Sequence, residues 1–199
     1  MLLSSERNIV HVIKEAGGLL RARDAVERGF SYEALRRAVR RGEIVQAQRG
    51  YYTLPDYFED DMFLLQARYL RGIFSYATSL HLNDLSDRIP IVYDMTFPAR
   101  YNPHRIEESL VRVRFDRVDL YGVSAVKLES SFGNEVITYS AERTLCDILR
   151  KNAKVDSDLV ADAYKRWAKR PSKDIFAISR YAKLLGVEDK VQSYLEVLL

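Results

Sequence analysis

Apolar positions near the start of the chain recur at helical spacing in three short runs. Ile9, Val10 and Ile13 stand at i, i+1 and i+4, which predicts a helix from Ser5 to Ala16 with Ser4 or Ser5 as its cap and Gly17-Gly18 as its stop. Ala22, Ala25 and Val26 predict a second helix from Arg21 to Arg28, ended by Gly29. Phe30 packs inward, and the hydroxyl of Ser31 caps a third helix with Leu35, Ala38 and Val39 on one stripe and Gly42 after it. Ile44-Val45 and Tyr51 to Leu54 are β-rich and flank Arg49-Gly50, a tight hairpin tip. Three short helices followed by a β-hairpin make residues 1–56 a winged helix-turn-helix.

Beyond Pro55-Asp56 the texture changes. Phe63, Leu64, Ala67 and Leu70 predict a linking helix from Asp60 to Arg71. Ile73-Phe74 begins a strand, Tyr76 to Asn83 forms a short helix, and Ile91 to Phe97 is a strand between Pro90 and Pro98. Val111, Val113 and Phe115 alternate with Arg112, Arg114 and Asp116, the pattern of a half-exposed strand. Val123 to Leu128 and Glu135 to Tyr139 are further strands. Ser140 caps a helix in SAERTLCDILRK with Leu145, Ile148 and Leu149 inward. Helices then run from Ser157 to Lys169, from Ser172 to Leu185 with Gly186 stopping it, and from Glu188 to Leu199. Residues 57–199 are therefore predicted to form an α+β domain, a small sheet followed by a helical tail, and the fold class of the whole chain is α+β.

Composition adds location to this outline. A chain of 199 residues buries roughly 70% of its unfolded surface and needs no disulfide or metal staple. The net charge is +3. Ten basic and seven acidic side chains fall in residues 1–56, so the remainder balances to zero. The excess sits with the third helix, where Arg36, Arg37, Arg40 and Arg41 point away from the apolar stripe. Cys146 is the only cysteine, which excludes an intrachain disulfide, fits a reducing cytoplasm and reads as a buried small hydrophobe. MLLSSERN lacks the apolar run of a signal peptide, and no stretch approaches the ~20 apolar residues of a membrane span. The expected location is the cytoplasm.

Catalytic chemistry finds little support. His11, His81 and His104 have no ligand spacing with one another or with the cysteine. Neither a phosphate-binding Walker loop nor a Gly-x-Ser-x-Gly elbow occurs. Asp84, Asp87 and Asp94 are the acids to weigh for magnesium, and Asp94 in IVYDMTF reads as a solvent-facing strand acid. No catalytic residue, metal or cofactor is expected, and the chain is not expected to be an enzyme.

The third helix points instead to double-stranded DNA. Laid in a major groove, it would present Ser31, Tyr32, Glu33, Arg36, Arg37 and Arg40. Arginine reads guanine O6 and N7 in bidentate fashion, worth about 1–3 kcal/mol of discrimination, and later arginines such as Arg41 hold phosphate. Arg49 at the hairpin tip reaches a phosphate or the minor groove. Arg21 and Arg23 lie where a helix start favours phosphate, and Gln48, like Gln46, adds a polar group on the first wing strand. Glu33–Arg37 is an i, i+4 pair. A second basic patch, Lys165, Arg166, Lys169, Arg170 and Lys173 around Trp167, is either a solvated helix end or a contact for nucleic acid or a partner.

The run GGLLRARDAVERGFSYEALRRAVRRGEIVQAQRGYYTLPD, closing on Arg49-Gly50-Tyr51-Tyr52-Thr53-Leu54-Pro55, resembles the N-terminal winged helix of the AbiEi-family antitoxins. YATSLHLNDLSDRIP and the Ser-x-x-Arg-Thr-Leu-x-Asp pattern of YSAERTLCDILRKN resemble that family's second domain. The resemblance implies an antitoxin of a type IV toxin–antitoxin system linked to abortive infection by phage. It implies repression of its own operon through inverted repeats in the promoter. It also implies a nucleotidyltransferase-like toxin as functional partner, opposed without a stable complex. The alternative is a winged-helix regulator without a toxin partner, its second domain sensing a ligand or making oligomers.

Overall fold

The computed structural model describes residues 8–56, 60–102, 106 and 108–199. Its contacts divide the chain into two compact units, Met1–Leu64 and Leu65–Leu199.

The first unit opens with α1 (Ile9–Glu15), capped by Asn8, whose side chain accepts from the Val10 N–H at 2.9 Å. The expected caps Ser4 and Ser5 lie outside the described residues. Ile9, Val12 and Ile13 are buried, and Val10 is half-buried against the same core, so Val12 and Val10 flank the Ile9–Ile13 stripe on its two sides. A strand then appears that the sequence pattern does not announce, β1 (Leu19–Arg21). Arg21 is extended (φ −71°, ψ 142°) and ends β1, so α2 runs only from Ala22 to Glu27. Ala22 and Ala25 are buried, but Val26 is 39% exposed.

Helix α3 (Tyr32–Arg40) follows Ser31, whose Oγ accepts from the Ala34 N–H at 3.1 Å. Leu35 and Ala38 are fully buried and Val39 is half-buried. The wing is β2 (Val45–Gln48) and β3 (Tyr51–Thr53), turning at Gly50 in the left-handed region (φ 84°), where a side chain would be strained. β3 is the middle strand, with β1 and β2 antiparallel on either side. Ile13, Leu20, Ala25, Leu35, Ile44 and Tyr52 form one core under helices and sheet, with Phe30 packed against it.

Helix α4 (Asp61–Arg68) carries the boundary between the two units. Asp60 caps it, Oδ1 accepting from the Phe63 N–H at 3.1 Å. The buried side chains are Met62, Leu65 and Tyr69, not the expected Phe63, Leu64, Ala67 and Leu70; Leu70 is 70% exposed. Both sets have helical spacing, and periodicity alone does not say which of two adjacent stripes meets a core.

The second unit continues with β4 (Ile73–Phe74), α5 (Tyr76–Leu82), β5 (Tyr93–Pro98), β6 (Val111–Asp116), β7 (Ala125–Glu129) and β8 (Glu135–Tyr139). The sheet order is β6-β5-β4-β8-β7. The pairs β5–β6 and β4–β8 are parallel, the other two antiparallel. Four helices follow: α6 (Ala141–Asp147), α7 (Ser157–Ala168), α8 (Ile175–Leu185) and α9 (Glu188–Leu198). Their core holds Leu145, Cys146, Tyr164, Trp167 and Ile178, each 0% exposed. The architecture is the α+β arrangement of small sheets and C-terminal helices that the hydrophobic pattern predicts.

Two strands of this sheet depart from the sequence expectation. Asp94 on β5 is 1% exposed, not solvent-facing. Arg114 Nε donates to its Oδ1 at 3.0 Å, and an Arg112 guanidinium nitrogen lies 3.5 Å from Oδ2. Burial pushes the Asp94 carboxyl above its ordinary value, with Arg114 opposing. On β6, at the sheet edge, Asp116 is 4% exposed while Phe115 is 56% exposed. Arg114 and Asp116 are drawn inward because they have partners there, while Val111 is buried and Arg112 exposed as the alternation predicts. Arg143, itself 0% exposed, donates to Asp116 at 2.7 Å and to Asp147 at 2.9 Å, and Arg150 also bonds both acids.

Candidate nucleic-acid interface

The geometry of the first unit is set by how little of α3 is buried. Leu35 and Ala38 fix one stripe against the core, and the opposite surface is left to Tyr32, Glu33, Arg36, Arg37 and Arg40, all exposed. Ser31 starts the helix from an extended backbone, leaving the N-terminal turn at the surface. Glu33, Arg36, Val39 and Arg40 line an open groove of about 360 Å³ whose other wall is the wing, through Gln46 and Tyr52.

The arginines are not equivalent. Arg40 pairs with Glu33 at 2.9 Å, two turns away; the i, i+4 partner expected for Glu33, Arg37, is passed over. Residues seven apart are almost eclipsed on a helix, so both pairings lie on one face and the longer reach prevails. Arg41 grips Glu43 with two bonds, 2.7 and 3.0 Å. That hydrogen bond raises the Arg41 pKa and lowers that of Glu43. Arg23 pairs with Glu27 at 3.0 Å. Arg36, Arg37 and Arg49 make no ion pair among the described residues.

The wing gathers further groups. β1 places Arg21 opposite Tyr51, beside the wing turn, with its guanidinium 5.5 Å from the Tyr51 ring centroid. The Ala22 N–H donates to the Gly50 carbonyl at 2.8 Å, tying the start of α2 to the wing tip. Arg21 and Arg49 thus share one end of the small sheet, an adjacency that only β1 creates. Gln48 is half-buried, and its amide donates to the Leu64 carbonyl at 3.0 Å, so this side chain is engaged within the unit.

Part of the second basic patch is engaged within the unit. Arg166 donates to Asp87 at 2.8 Å and to Asp162 at 2.8 Å, Arg170 bonds the Asn83 carbonyl, and Lys173 reaches the Arg170 carbonyl at 3.3 Å. Trp167 is buried, its Nε1 donating to Glu142 at 2.9 Å. Lys165 and Lys169 remain exposed.

The other candidates disperse. His11 pairs with Glu15 at the surface and His81 is half-buried, while His104 lies outside the described residues. Among the described residues no group of three or more His, Cys, Asp or Glu side chains is arranged to hold a metal ion. Nor is any helix among them long and apolar enough to cross a membrane. Cys146 is fully buried, and burial pushes its thiol up to about 12.

A helix pair joined by a glycine turn, an exposed basic third helix and a tied hairpin define a winged helix-turn-helix domain of the kind found in transcriptional regulators. Residues 9–55 match the family described as transcriptional regulator, AbiEi antitoxin, and the winged-helix unit is an AbiEi-type domain. No curated protein matches the chain. The crystal structure of the RV2827C protein from Mycobacterium tuberculosis is similar in fold. Its TM-score is 0.56 over 94% of this chain and 79% of that one, at 18% identity.

Proposed function

We infer that the winged-helix unit binds double-stranded DNA at inverted repeats in the promoter of its own operon and represses it. The observation that carries this is the state of Arg36 and Arg37. Both are exposed on the outward face of a helix fixed by Leu35 and Ala38, and neither has an ion-pair partner among the described residues. Guanidiniums without carboxylates shed no partner on meeting phosphate or guanine. With α3 in the major groove, Ser31, Tyr32 and Glu33 sit at the helix start, Arg36, Arg37 and Arg40 along the groove, and Arg41 and Arg23 near phosphate. Arg49 and Arg21 would then meet the flanking backbone from the wing.

Titration of a labelled promoter duplex with Arg36→Ala and Arg37→Ala proteins tests this. Each substitution lowers affinity and reduces the slope of log affinity against log salt by about one. Unchanged affinity and slope for both would exclude this face.

The match over residues 9–55 supports a wider reading. The chain acts in the cytoplasm as the non-enzymatic antitoxin of a type IV system serving phage defence. Its functional partner is a nucleotidyltransferase-like toxin, opposed without a stable complex, and residues 57–199 carry the antitoxicity. Co-expression separates the two roles: the Arg36→Ala, Arg37→Ala protein still rescues growth from such a toxin while losing repression of a promoter fusion. Loss of rescue in that variant would place antitoxicity on the DNA-binding face instead.

A further inference from the structure

The second unit holds a concavity with a different chemical character from the α3 groove. It is about 550 Å³ in volume, within the usual range for small-molecule sites. It opens between β6, the turn after α6 and the turn joining α8 to α9. Its floor is cationic. Arg114 and Arg150 are recessed there, with side chains only 15% and 28% exposed, and Lys151 and Lys190 stand at the rim.

Among the described residues no carboxylate lines this cavity. The acids that balance the arginines, Asp94, Asp116 and Asp147, are buried at 1%, 4% and 2% exposure beneath them. They act as struts. Arg114 bonds Asp94 and the carbonyls of Asn152 and Ala153 at 3.0 to 3.2 Å. Arg150 bonds Asp116 twice and Asp147 once, at 3.2 to 3.3 Å. Three bonds occupy three of the five donors on each guanidinium, leaving others for an anion at fixed positions. An adjoining basic hollow shares Arg114 and Asn152 and adds Arg112 and Lys154.

Its apolar lining comes from Leu185 and Val187 and from Val113 and Phe115, which flank Arg114 on the edge strand and alternate with it. The Phe115 ring is 56% exposed on the edge strand. Tyr76 closes the inner end, its ring under the Arg114 guanidinium at 4.3 Å. Tyr76 also has φ 47°, a left-handed conformation that a bulky side chain adopts at a cost of about 1–3 kcal/mol and that clusters at ligand sites.

A preorganised cationic floor beside an apolar lining with an exposed aromatic ring at the strand edge fits a ligand that is polyanionic at one end and flat and apolar at the other. We propose that the second unit binds a nucleoside polyphosphate in this basin. The phosphates lie on Arg114, Arg150, Lys151 and Lys190, and the base lies against Phe115. A duplex backbone is the poorer fit, because it is gripped by protruding cations, and here the two arginines are sunk.

The test uses the full chain at about 50 mM salt, titrated calorimetrically with ATP, tripolyphosphate and adenosine in separate arms. ATP saturates one site per chain. Lys151→Glu with Lys190→Glu, both at exposed positions, weakens it by at least about tenfold. Phe115→Ala weakens ATP several-fold and leaves tripolyphosphate unchanged. ATP failing to saturate, or tripolyphosphate matching ATP with no dependence on Phe115, would overturn the proposal. So would a charge-reversed protein that loses promoter duplex but keeps ATP. The Arg36→Ala, Arg37→Ala protein must bind ATP as the parent does, so failure of operator binding and failure of nucleotide binding are told apart.

Discussion

The two units use arginine in opposite ways. In the first, guanidiniums stand on outward helix faces: the Arg40 and Arg23 side chains are 69% and 85% exposed, and Arg36 and Arg37 have no ion-pair partner among the described residues. In the second, Arg143 is fully buried and Arg114 nearly so, each locked to buried aspartates. Exposed guanidiniums add little to stability and remain available to polyanions. Buried ones hold elements together at a desolvation cost that only their partners offset. The same residue type is an exposed face on α3 and a buried strut at Arg143, and environment alone decides which.

The largest expected effect comes from breaking a strut. Arg143→Met leaves Asp116 and Asp147 buried without their central partner and destabilises the second unit by about 3–5 kcal/mol, measurable by urea unfolding. A loss below about 1 kcal/mol would mean that Arg150 and water suffice, and the contrast between the units would shrink. Arg36→Ala with Arg37→Ala is the opposite case. Stability stays within about 0.5 kcal/mol, while the salt slope of promoter binding falls by about two.

A smaller effect is expected at the cap. Ser31→Ala removes the acceptor for the Ala34 N–H and costs the winged unit about 1 kcal/mol, read as a lower unfolding midpoint. Arg41→Ala sharpens the comparison within one helix. Because Glu43 already holds Arg41, its loss changes promoter affinity less than the loss of Arg36; an equal effect would show that the pair opens on DNA. The smallest signal is at Cys146. With its thiol pushed up to about 12 by burial, the native protein resists thiol reagents at pH 8 and reacts only when unfolded. The folded state favours the protonated thiol. Its contribution is therefore intact below the ordinary cysteine pKa of about 8.5 and declines as pH rises toward about 12.

Legibility in the sequence followed the same divide. Helix α3 was readable almost to the residue: Ser31 is a cap by chemistry, Leu35 and Ala38 are spaced for one stripe, and Gly29 and Gly42 are turn residues. Which arginines stay free was not readable, since Glu33 chooses between Arg37 and Arg40 by side-chain reach. β1 was hidden because three residues show no alternation and its reason is a partner strand some thirty positions on, at Tyr51–Thr53. On β6 the alternation holds at Val111 and Arg112 and reverses at Phe115 and Asp116. Arg114 and Asp116 turn inward only because Asp94, Arg143 and Arg150, remote in sequence, meet them. The Ser-x-x-Arg-Thr-Leu-x-Asp pattern gains physical content there: Ser140 caps α6, Leu145 fills the core, and Arg143 and Asp147 form the strut. The basin beside it was not legible because its lining comes from segments as far apart as Tyr76 and Lys190.

The bond from the Ala22 N–H to the Gly50 carbonyl has a kinetic consequence. A free hairpin tip samples many shapes, and ordering it on a partner forfeits about 1–2 kcal/mol per residue in backbone entropy. Here the tip is anchored to α2 before any duplex arrives. Encounter then needs no waiting for the wing to assume its form. If the unit binds its promoter as proposed, association would be governed by electrostatic steering, and differences between operators would show in how long the complex survives rather than in how fast it forms.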